Sequence, residues 1–126
     1  MTQPESQSRS KSRALILVSL ATFFSLSVWF STNAISSALE VEKSIDESSM
    51  AILTIAVQLG FVFGTLLIAV TNLSDLINAR TLFAYAAVLA ALANLLVIPF
   101  DSTPALIAAR FATGAFLGGV YPPAMK

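Results

Sequence analysis

Met50-Ala-Ile-Leu-Thr-Ile-Ala-Val-Gln58-Leu-Gly60-Phe-Val-Phe-Gly64-Thr-Leu-Leu-Ile-Ala-Val-Thr71 runs without a single charged residue. An α-helix rises 1.5 Å per residue, so about 20 residues cross a hydrocarbon layer of roughly 30 Å. The stretch reaches that length. No water is present in such a layer to pair backbone N–H and C=O groups, so the segment must satisfy them internally as a helix. The same pattern recurs on both sides. Ala14–Ile35 and Thr81–Phe100 are free of charge, and Pro104–Met125 carries one charge, Arg110. The sequence therefore predicts an all-α membrane protein with four transmembrane helices, at about 14–35, 50–71, 81–100 and 104–125, within a transmembrane domain spanning 14–126.

Composition agrees. Of the 126 residues, 56% are hydrophobic and 11% charged, with a mean hydropathy of +0.82; a soluble domain carries roughly 25% charged residues. Seven Lys/Arg balance seven Asp/Glu, so the basic surplus that neutralises phosphates is missing and no nucleic-acid partner is expected. The absence of Cys and His removes disulfides, thiol or imidazole catalysis and the usual zinc ligands. The acids Glu40, Glu42, Asp46 and Glu47 crowd a short solvated segment that offers no pocket for paired-carboxylate chemistry. Neither an enzyme nor a cofactor is expected, and the lipid bilayer is the first partner.

Orientation follows from Lys and Arg. With a cytoplasmic N-terminus the inner side holds Arg9, Lys11, Arg13, Arg80 and Lys126, and the outer side only Lys43. This is the positive-inside bias, and it predicts a multi-pass protein of the cell (inner) membrane with both termini cytoplasmic. Residues 1–13 are rich in Ser and Gln and predict a disordered cytoplasmic tail. The apolar stretch behind them is longer than the 7–15 residues of a secretory signal and lacks a clean small-x-small site, so the first helix is read as retained. Ser36–Ser49 is polar, with a helical turn continuing the first span at its start. The turn Asp101–Thr103 is short enough to make the third and fourth helices antiparallel neighbours.

Polar residues inside the spans are the candidate functional groups. Arg110 lies near 9 Å into its span by helical rise. An embedded Arg costs on the order of 2.5–3.5 kcal/mol on insertion scales, so it is partnered, faces water, or snorkels to the interface. The cavity-facing reading makes it a cation for an anionic solute, with Asn33, Gln58 and Trp29 as further substrate contacts. Asn33, Gln58 and Asn94 are expected to point inward, as interhelical glue or as a polar path. Trp29, on one face with Asn33, equally fits an interfacial aromatic belt. Gly60/Gly64 and Gly114/Gly118 read as close helix packing.

Between the second and third spans the chain reads Thr71-Asn-Leu-Ser-Asp75-Leu-Ile-Asn78-Ala-Arg80. This resembles the cytoplasmic signature of the major facilitator superfamily, G-x-L-a-D-r-x-G-r-k, matched at Leu73, Asp75 and Arg80. Thr71 and Asn78 replace its two glycines and Ala79 its first basic residue. Asn78 can stand for Gly because Asn tolerates φ > 0. Ala109-Arg110-Phe-Ala-Thr-Gly114-Ala-Phe-Leu-Gly118-Gly-Val-Tyr-Pro122 is similar to the superfamily's fourth-helix pattern, an Arg four residues before a Gly.

The resemblance covers nearly the whole chain and implies the first four helices of a twelve-helix fold. The chain is accordingly expected to be a truncated transporter, with the remaining transporter helices absent. It also implies alternating-access movement of a small solute, and a conformational latch formed by Asp75, Asn78 and Arg80; the plainer alternative makes Arg80 a topology anchor and Asp75 a turn acid. Arg110 tilts the solute towards an organic or inorganic anion. Two other classes stay in view: a non-transporting membrane adaptor joined to partner helices through its glycines, and a small four-helix multidrug exporter. The exporter relies on a Glu in the first helix, and Ala14–Ile35 has none.

Overall fold

The computed structural model describes residues 3–124; the side chains of residues 3–6, 123 and 124, and of Thr32, Asn33 and Ser36, lie outside the described set. Regular structure among the described residues is helical throughout: α1 (Gln3–Ala34), α2 (Ser36–Glu42), α3 (Glu47–Thr71), α4 (Leu73–Leu76), α5 (Ala79–Leu95), α6 (Thr103–Leu117) and α7 (Tyr121–Ala124).

Helix boundaries depart from the charge-free runs for identifiable reasons. Residues 3–13, for which composition predicts disorder, continue α1. Elongating an existing helix adds one hydrogen bond per residue fixed, the segment contains no Gly, and Pro4 sits in the first turn, where a missing N–H does no harm. Met1, Thr2, Met125 and Lys126 lie outside the described residues. α5 stops at Leu95 rather than at Phe100. Its end tightens into three-residue turns, with N–H groups of Leu96, Val97 and Ile98 donating to Ala93, Asn94 and Leu95, ahead of Pro99, which disfavours helix in the residue before it. α6 is not one helix to Met125. Pro122 has no N–H and its ring would strike the carbonyl four residues back, so Gly119 and Val120 bond three residues back to Phe116 and Leu117 and α7 begins anew.

Two helices, Gln7–Ser31 within α1 and Glu47–Thr71, are long and apolar enough to cross a membrane; Ala79–Leu95 and Thr103–Leu117 are shorter apolar helices.

The tightest contact joins α3 to α6, backbone against backbone. A Cβ added to Gly60 would overlap the Phe111 carbonyl, one on Gly64 the Ala115 carbonyl, and one on Gly114 the Val57 carbonyl; on Gly118 it would sit 2.7 Å from the Thr65 nitrogen. Small residues at all four positions are therefore required by the approach of the helices. α5 packs on α6, around Ala86, Ala90, Leu117 and Val120. A second apolar cluster closes the end of the bundle that carries α2, where Leu39 and Ile45 from the segment around α2 fold over Met50, Leu53, Val97, Leu106 and Ala109.

Lys43 fastens that end. Its Nζ donates to the carbonyls of Ile98 at 3.1 Å and Phe100 at 2.8 Å and pairs with Asp101 at 2.9 Å. The ammonium thereby serves the carbonyl end of α5, where a cation is favoured. α1 is held more lightly: no residue of its most apolar stretch is fully buried, although one side of it, with Leu26, Val28 and Trp29, is half-buried.

Candidate functional site

Arg110 projects from α6 into the junction of α1, α5 and α6 and is fully buried, at 0% exposure. Its Nη1 donates to Asn94 Oδ1 of α5 at 2.9 Å, and its Nη2 to the Trp29 carbonyl of α1 at 2.8 Å. Asn94 Nδ2 donates to Ser31 Oγ at 2.9 Å, and the Ser31 hydroxyl donates to the Val28 carbonyl at 2.9 Å. Among the described residues, Arg110 Nε is buried without a partner. Snorkelling to the interface is not what the side chain does; it turns inward and ties three helices together.

Both acceptors are neutral. No Asp or Glu lies anywhere in Met50–Thr71, in α5 or in α6, and the one acid of α1 is Glu5, at its far end. Buried cations are usually paired, because an uncompensated charge in a low-dielectric setting is costly. The site thus holds a fixed cation and an idle donor with no anionic counterpart, a setting that favours binding an anion by charge-assisted hydrogen bonds.

The other residues singled out from the sequence fall into different places. Trp29 is half-buried, its ring 5.2 Å from that of Phe61 in an edge contact, and Phe61 stands 5.5 Å from Tyr121 in the same manner. Its carbonyl joins the Arg110 network; its ring belongs to this aromatic cluster. Gln58 is exposed and takes no part, contrary to the inward orientation expected of it. α3 buries Val57, Gly60 and Gly64 against α6, and the next residue along a helix points about 100° away. The Asn33 side chain lies outside the described residues. An apolar groove of about 410 Å³ between α5 and α6, with Leu89, Leu92, Ala93, Leu96, Ala112 and Phe116 on its walls, offers no polar group to orient a solute.

In the 71–80 segment, Asp75 sits in α4 and Arg80 is exposed in the first turn of α5. Asn78 caps α5, its Oδ1 accepting from the Arg80 backbone N–H at 3.0 Å. Its φ is −54°, so it does not supply the left-handed conformation foreseen for it. Asn72 does, at φ 50° and ψ 31°, where the chain leaves α3 and enters α4. A helix commonly ends on a left-handed residue, and Asn is the usual substitute for Gly there. Among the described residues, no group of three His, Cys, Asp or Glu gathers into a metal-ligating cluster.

The family model described as Major Facilitator Superfamily matches residues 18–126. The chain belongs to the major facilitator superfamily. No curated protein and no solved structure matches it. Membership makes it a transporter-family protein rather than an enzyme-family one, and the match includes both the 71–80 segment and Arg110.

Ser31 is the member of the site that sequence reading did not single out, and Asn94, expected to point inward, was not paired with Arg110. A usable signal existed for Asn94. It precedes the Asp101–Thr103 turn by as many residues as Arg110 follows it, so a tight antiparallel pair brings the two level. Ser31 had no comparable marker, because Ser is common throughout α1.

Proposed function

We propose that this superfamily member spans the inner membrane four times with both termini in the cytoplasm. In this reading it moves a small anionic solute by alternating access, with Arg110 at the solute site. In support, α5 with its terminal turns and α6 followed by α7 both extend their apolar runs beyond the strictly helical residues. The charge asymmetry also sharpens, since Lys43, the one outer cation, is matched by Asp101. Asp75, Asn78 and Arg80 form the cytoplasmic latch, the Asn78 cap fixing where α5 starts and hence where Arg80 stands.

One observation carries the choice of solute: a completely buried guanidinium whose partners are all neutral. Alternating access needs differential binding to two states rather than covalent chemistry, and an unmatched cation is a group whose affinity for an anion changes with what surrounds it. The experiment is uptake of labelled carboxylates and phosphate by cells expressing the protein, set against the Arg110→Ala variant. Anion uptake should be lost in the variant while its amount in the membrane fraction stays unchanged. Undiminished uptake by a membrane-inserted variant would leave Arg110 a packing residue. Cysteines introduced at Val41 and Leu76 should react with an impermeant reagent only from outside and only from inside, respectively.

A further inference from the structure

Three observations, taken together, give the Arg110 network a moving part. First, α3 and α6 are locked by backbone contact at four glycines, which no sliding or rotation can preserve. Second, no residue in the most apolar stretch of α1 is fully buried, and its apolar hold on the body is a half-buried stripe that includes the Trp29–Phe61 edge contact. Third, its polar ties to the body include the Arg110 bond to the Trp29 carbonyl and the Asn94–Ser31 pair. A carbonyl inside a helix already accepts one backbone N–H, and the Trp29 oxygen offers Arg110 its second lone pair. Breaking that tie therefore leaves α1 intact as a helix.

We propose that Arg110 is a clasp that an anion opens. Without solute its guanidinium holds α1 through the Trp29 carbonyl; a carboxylate or phosphate takes Nη2 and the idle Nε instead and frees α1 from α6, leaving the Asn94–Ser31 pair as a pivot on α5. Both bonds are charge-assisted through the guanidinium, but the anion adds a direct Coulomb attraction to the cation that a neutral carbonyl lacks. Nε and Nη2 lie on one edge of the planar guanidinium, the edge a bidentate oxyanion engages. The full burial of Arg110 fits the same scheme, since α1 itself is part of the cover and must shift for an anion to reach those donors. This inference rests on the anionic-solute reading and adds which element moves and what the solute displaces.

The absence of Cys makes the test direct. Cysteines at Phe24 in α1 and Ile55 in α3, both exposed, take spin labels in the full chain in lipid nanodiscs. A control pair at Leu59 and Leu92, on α3 and α5, reports the locked body. Benzoate and phosphate are titrated, with benzamide as the neutral counterpart of benzoate, and Trp29, the single tryptophan, is followed by its fluorescence in the unlabelled protein.

Anions should broaden and lengthen the α1–α3 distance and change Trp29 emission saturably, leaving the control pair fixed; benzamide should do neither. Arg110→Ala should show the long distance without any anion, and Arg110→Lys, which lacks the planar fork, should respond more weakly than the native chain. Saturable emission change with a constant α1–α3 distance would overturn the clasp and keep the anion site. No response to either anion in any measurement would overturn the anion assignment itself. Uptake of a neutral solute in the transport assay would then still support the superfamily activity, so the two failures are distinguishable.

Discussion

Replacing Gly114 by Ala tests the claim that α3 and α6 meet at the backbone. The added Cβ would overlap the Val57 carbonyl oxygen and lie 2.8 Å from both the Phe61 nitrogen and the Val57 carbon. Ordinary contact begins at 3.4 Å, so those backbone atoms must each retreat by about 0.6 Å, and the carbonyl oxygen by more. Backbone of a helix cannot retreat one atom at a time, so α3 must move as a body. That movement also opens the contacts at Gly60, Gly64 and Gly118. Overpacking typically costs about 1–3 kcal/mol, and the value here should fall at the upper end, roughly a hundredfold in the folded-to-unfolded ratio. Gly119→Ala is the internal control. Its Cβ would meet the Ala86 Cβ at 2.9 Å, the Phe116 carbonyl oxygen at 3.2 Å and the Ile68 Cδ1 at 3.3 Å, overlaps of about half an ångström or less with no backbone oxygen run through, so a smaller loss than for Gly114→Ala is expected. Equilibrium unfolding in mixed detergent micelles, followed by helicity, measures both. Equal losses for the two variants would refute the backbone contact.

Lys43→Met should destabilise by about 1–2 kcal/mol, because it leaves the Ile98 and Phe100 carbonyls without the ammonium they share, whereas Asp101→Asn, at a side chain 89% exposed, should cost no more than about 1 kcal/mol; thermal melts of the two variants check the order. Asn94→Leu leaves Arg110 Nη1 as idle as Nε and should cost about 2–3 kcal/mol, while Asn94→Asp supplies the counter-charge and should recover most of that loss in the same unfolding assay. The Ser49 hydroxyl donates to Asp46 and holds its carboxyl below the ordinary value of 3.8. A carboxylate with a depressed folded pKa stabilises the fold above its unfolded value and ceases to as pH falls through the folded one, so Ser49→Ala should move the Asp46 titration midpoint upward in a carboxyl NMR titration and erase that acid-range contribution.

What could be read from the sequence divides along physical lines. Charge-free runs mark where a helix lies, since charge and hydrocarbon exclude each other, but they do not mark where it stops. The ends at Leu95 and Leu117 are set by Pro99 and Pro122 through local backbone geometry, and the beginning at Gln3 by helix elongation that needs no apolar partner. Gly60, Gly64, Gly114 and Gly118 were legible because a missing side chain at helical spacing has one common use. Arg110 was legible for its cost. Its partners were not, since half of the answer is the Trp29 carbonyl, an atom every residue possesses. Gln58 shows the converse error: a polar side chain within an apolar run need not face the body of the protein, and this one is exposed, one residue beyond the face that α3 presents to α6.

The division of labour between the two kinds of contact has a mechanical consequence. Where α3 and α6 touch, the glycines remove the side chains, and an interface without side chains has no rotamers by which to adjust. It transmits force as a unit. Polar recognition is therefore left to faces that do carry side chains, and the Arg110 cluster occupies the one that α6 turns towards α5 and α1. There α5 still packs on α6 through an apolar cluster, but the tie of α1 to α6 at Arg110 is a hydrogen bond rather than close-packed backbone. Such bonds can be exchanged for bonds to a solute at little net cost, because donors and acceptors find replacement partners, whereas separating close-packed backbones forfeits dispersion contacts that nothing replaces. A helix that must move during transport is better held by the first kind of contact, and α1 is the helix so held.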